Sequence, residues 1–73
     1  MTEHLGTEVA DRVRGFATQK RVTQTSLAQA LGLSRMAIVR RLNGSVSFSD
    51  RELLVLSRTL GVPVGAFFGE VAA

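Results

Sequence analysis

Apolar positions along the chain recur every three or four residues, the spacing of one face of an α-helix, and no stretch alternates as a β-strand would. Val9, Val13 and Phe16 form a first stripe; Leu27, Ala28 and Leu31 a second; Ile38 and Leu42 a third; Leu53, Leu56 and Leu60 a fourth. The polar residues between them carry start and stop chemistry. Thr7 is a candidate N-cap, followed by Glu8 and Asp11 where the helix dipole favours acids, which leaves residues 1–6 as a flexible arm. Thr23 caps a helix beginning at Gln24, and Gly32 suits the left-handed residue that ends it. Ser34 caps a third helix running to about Asn43, and Gly44 stops it. Ser49-Asp50-Arg51-Glu52 spells a capping box for a fourth helix that Gly61 terminates. Pro63 suits the first turn of a short last helix carrying Phe67 and Phe68. The expected fold is all-α, a compact bundle of five short helices forming one domain over residues 1–73. Residues 24–43 make a helix-turn-helix within it, and residues 50–73 hold the C-terminal helices.

Composition narrows the chemistry. The chain has 73 residues, 45% of them apolar, and no cysteine. Neither a disulfide nor a thiolate metal site is available, and His4 has no second histidine or cysteine to join it, so no metal or cofactor is expected. With no signal-peptide pattern and no apolar run near the roughly 20 residues a membrane span needs, a cytoplasmic protein is expected. The acids Glu8, Asp11 and Glu52 sit at helix starts. No nucleophile or glycine-rich phosphate loop accompanies them or Glu70, and an enzyme is not expected.

Charge changes the picture more. The net charge is +3, but residues 12–49 contain Arg12, Arg14, Lys20, Arg21, Arg35, Arg40 and Arg41 and no acid. Such a run marks either a solvated basic face or an anionic partner. The third helix favours the partner. At about 100° per residue, Arg35, Met36, Val39, Arg40 and Asn43 share a sector of roughly 140°, and Ile38 and Leu42 point away from it. Arginine forks onto the O6 and N7 of guanine, and Met36 and Val39 suit thymine methyls. Ser34 and Asn43, at the ends of the helix, suit phosphates.

Two helices joined by a tight glycine turn make a helix-turn-helix signature. Residues 8–68 resemble the DNA-binding domain of the λ repressor and Cro family. The resemblance rests on Thr23-Gln24, Leu27-Ala28, Leu31-Gly32, Ser34-Arg35, Ile38, Asn43-Gly44, Leu53, Leu56, Leu60-Gly61-Val62 and Phe67-Phe68. It implies double-stranded operator DNA as the partner and a transcriptional repressor or Cro-like switch as the role. Arg35, Met36 and Arg40 match the principal base-reading positions, with Val39 beside them. Thr23, Ser34, Ala37 and Asn43 match positions on or near the phosphates, and Gln24 matches one that reaches a phosphate or supports a base-reading side chain. Arg41 departs from a commonly apolar position and has two possible partners, a phosphate or an acid within the protein. Ser57 replaces a usual alanine and fits if its hydroxyl bonds back along the helix.

Leu54 and Val55 make the fourth helix apolar nearly all round. They are either packed beneath a neighbouring segment or, with Phe67, Phe68 and Val71, part of a homodimer contact. A homodimer suits paired half-sites. An antitoxin-like module is the alternative function: it would bind a partner protein as well as DNA, through the same apolar residues.

Overall fold

The computed structural model describes the backbone of residues 2–70 and the side chains of residues 7–70. Four α-helices, α1 (Thr2–Lys20), α2 (Gln24–Leu31), α3 (Arg35–Leu42) and α4 (Asp50–Leu60), are followed by a 3-10 helix, Val64–Phe68. Helix α1 packs on α3, α4 and the 3-10 helix, and α2 packs on α3 and α4. The shared core is built from Val9, Val13 and Ala17 of α1, Leu27 and Ala28 of α2, and Ile38 and Leu42 of α3, closed by Leu53, Leu56, Leu60 and Phe67. Each of the large side chains contributes about 1.5–3 kcal/mol through burial.

The starts of α2, α3 and α4 follow their caps. Thr23 Oγ1 accepts from the Ser26 amide, Ser34 Oγ from the Ala37 amide, and Ser49 Oγ from the Glu52 amide, each at 3.1 Å. Glu52 Oε1 accepts from the Ser49 amide at 2.9 Å, which completes the capping box.

Helices α1, α2 and α4 all end in one hydrogen-bond pattern, with a left-handed residue just past the helix and the next amide reaching back five residues. Gly32 (φ 67°) and Gly61 (φ 67°) hold that position after α2 and α4. After α1 it is Arg21, at φ 59°, with the Val22 amide bonded to the Ala17 carbonyl at 2.8 Å. A side chain there carries a steric cost that glycine avoids.

Several expectations are corrected. The first helix begins at Thr2, so residues 2–6 are not an arm and Thr7 is not an N-cap. Gly6 is the only residue in that stretch that opposes a helix, at a cost of about 1 kcal/mol, and it does not interrupt it. Thr7 instead lies under the exit from α3. A Cβ on Gly44 (φ 84°) would come within 3.2 Å of the Thr7 Cα, so both the left-handed backbone and the close approach favour glycine in this turn. Phe16 is only partly buried and meets Phe67 edge-on, ring centroids 5.9 Å apart, while Ala17 takes the inner position. The Ser57 hydroxyl does not bond back along the helix. It donates forward to the Val62 carbonyl, and the Val62 amide donates to the Ser57 carbonyl, so Ser57 secures the turn that leaves α4.

Candidate nucleic-acid interface

Helix α3 is held from behind and open in front. Ile38 and Leu42 are 1% and 3% exposed, whereas Met36 is 64% and Val39 39% exposed. Arg35 and Arg40 lie on the same outer face, also exposed, and no acid among the described residues reaches either in an ion pair. All four expected base-reading residues therefore share one outer surface. Helix α3 contains no acid, so nothing on the helix cancels its field.

The turn that sets this face is short. The Leu33 amide bonds to the Ala28 carbonyl at 2.9 Å, and Leu33 packs its side chain against the core. Ser34 follows with its hydroxyl holding the Ala37 amide. Ser34 keeps its own proton for an external acceptor. Ala37 does not, because its amide is engaged by Ser34 and its carbonyl accepts from Arg41 Nη1 at 3.3 Å. The expected backbone contact from Ala37 thus has no free donor behind it. Asn43 caps the far end, its Oδ1 accepting from the Ser45 amide at 2.8 Å, which leaves the side-chain NH2 outward. Thr23 and Gln24 are exposed at the start of α2. Gln24 borders a shallow groove with Arg14 and Thr18, over a floor that includes Val22 and Leu27.

The basic run divides into two sets. Arg12 faces Glu8 at 3.7 Å, with its guanidinium against Gly69, and Arg14 pairs with Asp11. Arg41 donates through Nε to Glu52 Oε1 at 2.9 Å, so of the two partners left open by the sequence the structure contains the acid. Glu52 is drawn toward the charged form. Burial alone would raise its pKa, but hydrogen bonds from Arg41 and Ser49 and the charge of Arg41 outweigh burial and hold it below the usual glutamate value. Lys20, Arg21, Arg35 and Arg40 have no acid partner among the described residues. Arg21 also stands in the strained position after α1, next to the start of α2, a left-handed backbone that its sequence context did not indicate.

The expected dimer residues separate as well. Leu54 and Phe68 are 54% and 51% exposed, and Val55 is half-buried. Phe67 is fully buried and is removed from that surface. Successive residues of a 3-10 helix point about 120° apart, so one phenylalanine enters the core and the next leaves it. Val71 lies outside the described residues.

No helix among the described residues is long and apolar enough to cross a membrane. No curated protein matches the chain. A helix-turn-helix family model matches residues 16–67, from the second half of α1 to Phe67 at the heart of the core. The chain belongs to the λ repressor and Cro-like helix-turn-helix family of DNA-binding transcription regulators.

Proposed function

We propose that this protein reads a specific operator by laying α3 in the major groove, and that it acts as a repressor or Cro-like switch on intracellular DNA. The observation that carries the reading is the outer face of α3, where two arginines without acid partners among the described residues flank exposed Met36 and Val39. The helix is about 12 Å long and about as wide as the groove that would receive it. Arg35 and Arg40 supply guanidinium forks for guanine, and Met36 and Val39 supply apolar contact for thymine methyls. Ser34, the Asn43 side-chain NH2, Thr23 and Gln24 fix register on phosphates. Lys20 and Arg21 add attraction that carries no sequence information. Exposed Leu54 and Phe68 support a homodimer, which would set two reading helices about one DNA turn apart.

Selection from random duplex DNA, followed by sequencing, tests this reading at two salt concentrations. The expected result is an enriched motif, a near-palindrome if the dimer forms on DNA. Binding without enrichment, collapsing as salt rises, would leave only nonspecific phosphate attraction and overturn it.

A further inference from the structure

We propose that the Arg41–Glu52 pair is a positioning device that sets the rotation of α3 about its own axis, and with it the sequence selectivity of the protein. The inference rests on α3 being the reading helix. At about 100° per residue, Arg41 lies about 170° around α3 from the centre of the face shared by Arg35, Met36, Val39 and Arg40. It is therefore on the back of the helix and does not enter the same groove as its neighbour Arg40. There its guanidinium makes two bonds at once, from Nε to Glu52 Oε1 on α4 at 2.9 Å and from Nη1 to the Ala37 carbonyl one turn earlier in α3 at 3.3 Å.

Glu52 is a fixed acceptor before Arg41 reaches it. The same Oε1 accepts from the Ser49 amide at 2.9 Å, and the Ser49 hydroxyl holds the Glu52 amide at 3.1 Å. Both side chains of the pair are largely shielded, at 19% and 15% exposure. Ile38 and Leu42 anchor α3 to the core through burial, which is less directional than a hydrogen bond. A turn of roughly 20° about the helix axis would move a group about 6 Å from that axis by about 2 Å. Hydrogen-bond geometry at a base edge does not tolerate such a shift. The directional bond from Arg41 to Glu52 opposes the turn, while the bond to the Ala37 carbonyl turns with α3 and only holds the guanidinium in place on it.

The test compares Glu52→Ala, Glu52→Gln and Ser49→Ala with the wild-type protein, under conditions where all four are folded. The readouts are affinity for the sequence that wild-type enriches, affinity for an unrelated duplex, and thermal stability. Glu52→Ala removes a negative charge, so simple electrostatics would strengthen binding to every DNA. Positioning predicts the opposite for the selected sequence: the ratio of selected to unrelated affinity falls about tenfold, comparable to the lower end of losing one base contact. Glu52→Gln keeps an oxygen for Arg41 Nε and the Ser49 amide, and should restore most of the ratio. Ser49→Ala removes one cap bond and leaves Arg41 its acceptor, so it should lower stability without changing the ratio. If wild-type is selective and Glu52→Ala keeps its ratio, or if Ser49→Ala lowers the ratio as much, the positioning role is overturned and α3 remains the reading helix. If wild-type enriches no sequence, the reading of α3 fails and this role fails with it.

Discussion

Helices α1 and α3 both carry arginines, and they use them in opposite ways. On α1, Arg12 and Arg14 each have an acid one turn earlier, Glu8 and Asp11, and both pair with it. On α3 no acid is present, and Arg35 and Arg40 stand outward without one. Arg41 alone on that helix is matched, and its acid comes from α4. Residue type alone does not distinguish these arginines; the fold does, by bringing an acid within reach of some and of none on the outer face of α3. The seven cations of residues 12–49 form a single run in the sequence, yet only four of them stay free of acids among the described residues.

The largest expected effect removes the support behind the open face. Ile38→Ala should cost about 2–5 kcal/mol of stability in urea titrations, because the side chain is almost wholly buried and its cavity would fill only partly. Next, Val39→Glu places an acid one helical turn after Arg35, within pairing distance though in the reverse order to the pairs on α1. Binding to the selected sequence should fall by at least about tenfold with helix content unchanged in circular dichroism. Arg21→Gly separates stability from function at the end of α1. It relieves the left-handed arginine and should stabilise the fold by about 1 kcal/mol, while the salt dependence of DNA binding falls by about one unit.

The smallest effect concerns pH. Glu52 has a lowered pKa in the folded protein, so its contribution is fully present above the unfolded glutamate value and is lost as pH falls through the folded one. Glu52→Gln should accordingly flatten the decline of stability on the acid side of the usual glutamate range, with little change near neutrality.

Features written in local chemistry were legible in the sequence. Thr23, Ser34, Ser49 and Glu52 cap as their types and spacing require, and Gly32 and Gly61 are left-handed. The outward placement of Arg35, Met36, Val39 and Arg40 followed from helical period, given Ile38 and Leu42 as anchors. What escaped depends on partners distant in the chain or on finer geometry. Thr7 resembles a cap until the helix is seen to continue through Gly6, and its contact with Gly44 joins segments far apart in sequence. Arg41 gained its acid from eleven residues away in another helix. Phe67 and Phe68 look alike in sequence, and the 3-10 turn sends them to opposite surroundings. Arg21 sits where its type gives no hint of a left-handed backbone, because glycine serves that position in the other two helices.

The central claim, that the outer face of α3 reads bases, is tested most directly with Arg35→Ala and a panel of single-base variants of the enriched sequence. The expected result is a loss of about 1–3 kcal/mol concentrated at one operator position, with discrimination relaxed there and unchanged elsewhere. A loss spread evenly over every variant, shrinking as salt rises, would make Arg35 a phosphate contact and contradict the claim.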